Sequence, residues 1–111
     1  MPIKFKVTKT AQKHTRLAIE WLKKTSDKST ARDVIKGRFD DFKDQLKTLP
    51  ECGQKCQHFD DERYRELFIG QYRFVYKIEP KQSDYLITII IFCHTRMNFQ
   101  TILAQVDEYT K

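Results

Sequence analysis

The run Tyr85–Cys93 carries Ile87, Ile89, Ile90, Ile91 and Phe92 and not one charged residue. Such a run suits a strand covered on both faces, which places it inside a sheet with neighbours on either side. Two of those neighbours precede it. Tyr64–Ile69 and Tyr72–Ile78 are β-rich and are split by Gly70-Gln71, a pair that fits the two-residue turn of a tight hairpin. That turn pairs Phe68 with Arg73 and Glu66 with Val75, so Glu66 and Arg73 share one face while Arg65 points to the other. A further strand opens the chain, where Ile3, Phe5 and Val7 alternate with Lys4, Lys6 and Thr8 in the pattern of a half-buried outer strand.

Two helices fill the space between. Thr8 or Thr10 caps a helix to about Lys24 with Ala11, His14, Ala18, Trp21 and Leu22 at helical spacing. After the polar break TSDKST, a second helix runs from about Thr30 to Leu49 on a stripe of Ala31, Ile35, Phe39, Phe42, Leu46 and Leu49, and Pro50 stops it. Residues 51–63 read as an irregular link, and the tail after Phe99 as a short, weakly amphipathic piece. The expected fold is therefore α+β: an N-terminal strand, an antiparallel helix hairpin on one face of the sheet, then a three-stranded antiparallel meander. A chain of 111 residues supports one such domain, residues 1–111, and the sheet face away from the helices is expected to be free for binding.

The formal charge of +6 favours a polyanionic or acidic partner. No apolar run approaches the ~20 residues of a membrane span and the N-terminus lacks an apolar signal region, so no membrane role and a cytoplasmic location are expected. Three cysteines without an export signal point to reduced thiols. Cys52, Cys56 and His58 are metal-ligand types, but with no fourth ligand and not the usual pair spacing no metal is expected, nor any cofactor. At one end of the sheet, Arg65, Arg73, His94 and Arg96 gather as candidates for binding a target.

The element order, with YRELFI, YRFVYKI and FCHTR after an apolar strand, resembles the RelE/ParE superfamily of toxins from bacterial toxin–antitoxin pairs. The resemblance implies a growth-inhibiting toxin, of a kind tied to plasmid stabilization, neutralised by a cognate antitoxin. It also implies one of two targets. RelE-like members are ribosome-dependent endoribonucleases that cut messenger RNA; ParE-like members inhibit DNA gyrase. Arg73 and Arg96 match functional arginines of the RelE branch, and Arg65 lies near a lysine of that branch. Leu67 stands near its second lysine, and no tyrosine closely follows Arg96. YRELFI and His94-x-Arg96 look more like the ParE branch, which is the favoured reading; a small basic binding module without toxicity is the alternative outside the family.

Ribonucleolytic transfer needs a base, an acid near the leaving oxygen and cations around the phosphate. His94, Arg73 and Arg96 are the catalytic candidates if the chain is a nuclease, with Glu66 as a nearby carboxylate. Each has a plainer role too. Arg73 forms an ion pair with Glu66 or Asp44, and His94 is a hydrogen-bonded histidine at a strand end.

Overall fold

The computed structural model describes residues 3–24, 27–82 and 84–106. Thr25 and Ser26 of the expected polar break, and residues 107–111 of the tail, lie outside the described residues. Strand β1 (Ile3–Val7) leads into helices α1 (Lys9–Leu22) and α2 (Lys28–Thr48), followed by β2 (Gln54–Lys55), β3 (Tyr64–Ile69), β4 (Tyr72–Lys81), β5 (Asp84–His94) and α3 (Phe99–Leu103). Among the described residues no helix is long and apolar enough to cross a membrane.

Local chemistry sets the helix ends. The Thr8 side chain accepts from the Ala11 N–H at 3.1 Å to cap α1, and Asp27 accepts from the Thr30 N–H at 2.7 Å to cap α2. That hydrogen bond holds the Asp27 carboxyl below its usual range. Helix α2 ends at Thr48, two residues before Pro50, whose ring excludes the preceding residue from helical conformation.

The five strands form one sheet in the order β1-β5-β4-β3-β2. The β3–β4–β5 meander is antiparallel, with Phe68 opposite Arg73 and Glu66 opposite Val75, and Gly70 at φ 59° makes the turn. The sheet as a whole is mixed, because β1 runs parallel to β5, Ile3 opposite Tyr85 and Val7 opposite Ile89. This puts the charge-free run Tyr85–Cys93 of β5 between two neighbours. The link after α2 is not wholly irregular: Gln54 and Lys55 pair with Glu66 and Arg65 as an edge strand.

The sheet has a core on each face. On the helix side, Phe42 lies flat on Phe74 at 4.3 Å, and Ala11, Ala18, Ile35 and Leu46 pack against Tyr76, Ile87, Ile89 and Phe92. On the other side, Ile102, Leu103 and Val106 bury Val75, Ile90, Ile91 and Cys93, with Cys56, Phe59 and Tyr64 completing the cluster. The expectation that this face is free thus holds for only part of it. The tail after Phe99 folds back as α3, capped by Asn98 accepting from the Thr101 N–H at 3.2 Å. A bulge near Val75/Tyr76 allows it: Tyr76 pairs with Ile89 and Val75 with Ile91, so Ile90 is the extra residue and both Ile90 and Ile91 join the second core.

Candidate functional site

Arg73 leaves β4 on the face that α3 covers. Its guanidinium carbon lies 4.0 Å from the centre of the Phe99 ring and 5.0 Å from that of Phe68. Both distances are within cation–π range. Arg73 Nε faces Glu66 Oε2 at 3.8 Å, an ion pair too long for a direct hydrogen bond, and both atoms are buried. The other Glu66 oxygen accepts from Gln54 Nε2 at 3.3 Å. Beneath them lie two thiols pushed above their ordinary range. Burial raises Cys93 to about 11 and is the first cause of the rise at Cys56, where the Glu66 carboxylate adds to it. Phe68, Arg73, Cys93, His94, Thr95, Met97 and Phe99 line a small pocket of about 120 Å³, which His94 meets at the strand end although its ring packs on the other face against Trp21.

His94 ends β5 on the opposite face. Its ring packs on Trp21 of α1 at 4.6 Å and edge-on to Tyr72 at 5.0 Å. Nδ1 accepts the Arg96 backbone N–H at 3.0 Å, which assigns the ring proton to Nε2, and Nε2–H donates to Gln71 Oε1 at 3.1 Å. Burial, then the Arg96 charge, lowers its pKa. It is a neutral histidine with both nitrogens committed.

Arg65 points to the helix side, where Nη1 donates to the Gly53 carbonyl at 2.9 Å. That carbonyl belongs to a tight junction, since the Gly53 N–H donates to the Tyr76 hydroxyl at 3.1 Å and burial pushes Tyr76 up to about 12. Arg96 follows β5 with its side chain exposed. The structure therefore joins Arg73 with Glu66 but sets Arg65 and His94 on the other face. Asp44, the alternative partner for Arg73, lines a separate cleft with Leu49 and Cys52. Cys56 is buried, His58 lies 4.9 Å from the Phe99 ring, and among the described residues no three His, Cys, Asp or Glu side chains converge on a metal-sized site.

One feature was not visible in the sequence, and a second, the expected groove between the helices and the sheet, only in part. Phe99 reaches Arg73 from 26 residues away, and only its aromatic character near Arg96 hinted at a role. The second is a cavity of about 540 Å³ on the helix side, floored by Val7, Ile19, Ile35 and Phe39 and rimmed by Arg16, Arg32, Lys36 and Lys43 against Asp40. The helical stripes placed the floor; the rim depends on how α1 and α2 meet.

This fold is shared with solved toxin structures. A YoeB/ParE toxin from Agrobacterium tumefaciens matches at 20% identity with a TM-score of 0.53, over 82% of this chain and 97% of that one. The structure described as the chromosomal ParDE TA system from P. aeruginosa matches at 14% identity and a TM-score of 0.53, over 85% and 97%. These likenesses show the fold, one shared with a YoeB/ParE toxin and a ParDE system. The sequence is more specific: the family model for the ParE toxin of the type II toxin-antitoxin system, parDE, matches residues 5–99, and the chain belongs to that family. A search of curated proteins finds no match.

Proposed function

We propose that this toxin arrests growth as a protein ligand of DNA gyrase. The observation that supports this reading is the split between Arg73 and His94. Transfer to a 2′-hydroxyl requires a base, an acid and cations around one phosphate. Here the arginine lies under Phe99 beside Glu66, and the histidine is locked against Trp21 through the sheet. The RelE-like reading, a ribosome-dependent endoribonuclease, is favoured by the carboxylate of Glu66 set beside Arg73 on a single face and by the small pocket that Arg73 and His94 both line. On the gyrase reading Arg96 and half-exposed Phe68 offer contacts at the end of the sheet, with Arg73 behind Phe68.

The partner that fits the helix-side groove is an antitoxin segment that is acidic and amphipathic. Apolar residues would seat on Ile19, Ile35 and Phe39 while carboxylates meet Arg16, Arg32, Lys36 and Lys43. Both proposed targets are cytoplasmic, and so is the expected site of action.

Brief induction in bacteria separates the readings when messenger RNA 5′ ends are mapped and the DNA-damage response is scored in the same culture. Intact messages with filamentation and DNA damage are expected. In-frame cuts that vanish in Arg73→Lys would replace this reading with the nuclease, and normal growth would refute both.

A further inference from the structure

The part of the sheet face that α3 leaves uncovered carries an organised set of cations. Lys4 and Lys6 on β1 are exposed, and by register Lys6, Thr88 and Lys77 form one row across β1, β5 and β4, with Lys4, Leu86 and Glu79 in the next. Strand geometry puts Lys6 and Lys77 about 10 Å apart across the sheet and Lys4 about 7 Å from Lys6 along its strand. Beyond them Arg63, Lys77 and Lys81 all lean on one carboxylate, Glu79, at 3.8–3.9 Å. Arg63 also holds Asp61 at 2.7 Å, and Asp84 stands opposite Lys81. Among the described residues Lys4 and Lys6 have no ion pair, so they carry the excess positive charge.

We infer that this half-face binds the phosphodiester backbone of nucleic acid, a role outside gyrase contact and antitoxin docking. The surface is held in register by three strands, which sets the spacing of the lysine stems before anything binds. A solvated edge that merely resists aggregation would need Lys4 and Lys6 but not a third lysine two strands away. Base recognition is not built in. Tyr64, the aromatic residue in the Lys77 row, is only 6% exposed and lies under the Lys77 ammonium, which leaves no ring free to stack on a base. Binding should therefore be independent of sequence and governed by counterion release.

The test is fluorescence-anisotropy titration of the full chain against a labelled duplex DNA and a single-stranded RNA of matched and scrambled sequences, over a series of salt concentrations. Gyrase, ribosome and antitoxin are absent, so failure here leaves the toxin reading untouched. With two to three phosphates neutralised, by Lys4, Lys6 and the partly paired Lys77, the slope of log affinity on log salt should be about −2 to −3 on duplex DNA and about −1.5 to −2 on single-stranded RNA. Whichever slope is found with the tighter binding identifies the source. Lys4→Glu/Lys6→Glu should weaken binding tenfold or more at about 0.1 M salt and flatten the slope by about 2 units, and Lys77→Gln by about 1. Lys24→Glu/Lys47→Glu makes the same charge change on the helix layer and should leave the slope in place. Equal losses in the two double variants would reduce the effect to net charge and overturn the proposal. So would strong preference for one sequence, or no binding by the unaltered chain at about 0.05 M salt.

Discussion

The surroundings of Arg73 predict that Arg73→Ala destabilises the fold, whatever it does to activity. Two ring contacts at 4.0 and 5.0 Å contribute about 0.5–2 kcal/mol each. The Glu66 pair, with side chains 22% and 12% exposed, lies between surface pairs worth about 0–1 kcal/mol and buried ones whose breakage costs about 3–5 kcal/mol. Allowing for overlap between these contributions, the loss should be about 2–4 kcal/mol, a large share of the roughly 5–15 kcal/mol that holds a domain together. Urea unfolding followed by circular dichroism measures it directly. Adding Glu66→Ala removes the stranded carboxylate, so the double variant should lose at least about 1 kcal/mol less than the two single losses added. An Arg73→Ala protein within about 0.5 kcal/mol of its parent, or simple additivity in the double, would refute the reasoning. Arg73→Lys, which keeps the charge and gives up the planar stacking, is therefore the better probe of activity.

Three further outcomes follow from the structure. Gly53→Ala should cost about 1–3 kcal/mol in the same urea assay, because its Cβ would press on the Tyr76 hydroxyl and stand 2.7 Å from the Glu66 carbonyl oxygen. Phe42→Ala, which empties a fully buried ring position between Phe5, Phe74 and Tyr76, should cost about 3–5 kcal/mol. Because the folded-state pKa of His94 lies below its ordinary 6.5, the unfolded chain takes up the proton first; stability is full above about 6.5 and declines as pH falls below it. His94→Gln should remove that decline from melting curves recorded across this window, while the loss tied to Asp61, held at about 2 by Arg63, stays confined below about pH 4.

The sheet was legible where local rules are strong. Gly70-Gln71 fixed the hairpin register, and with it the sharing of a face by Glu66 and Arg73, since a two-residue turn leaves no choice of pairing. The Ile89-Ile90-Ile91 run gave away a buried strand but hid its bulge, because three equal side chains carry no alternation to show which one is extra. Gln54–Lys55 is too short to leave a pattern, and α3 is a five-residue helix held by tertiary contact more than by propensity. The parallel pairing of β1 with β5 depends on the chain's path around α1 and α2, which periodicity does not encode. Site residues were harder for the same reason. Arg73, His94, Arg65 and Arg96 were picked as chemical types, but their neighbours Phe99, Trp21 and the Gly53 carbonyl are distant in sequence, and those neighbours decide which group is free, capped or committed.

The pairing of Ile3 with Tyr85 has a consequence in time. During synthesis the first strand is made long before the strand it lies beside, and at roughly 5–20 residues per second the interval between residues 8 and 85 is about 4–15 s. Until β5 arrives, the helices have only the β3–β4 hairpin to cover, Arg73 has no Cys93 opposite it, and Lys6 has no Thr88 to align it with Lys77. The lysine row is thus completed only by the last strand, and the Arg73 pocket only by Phe99 beyond it.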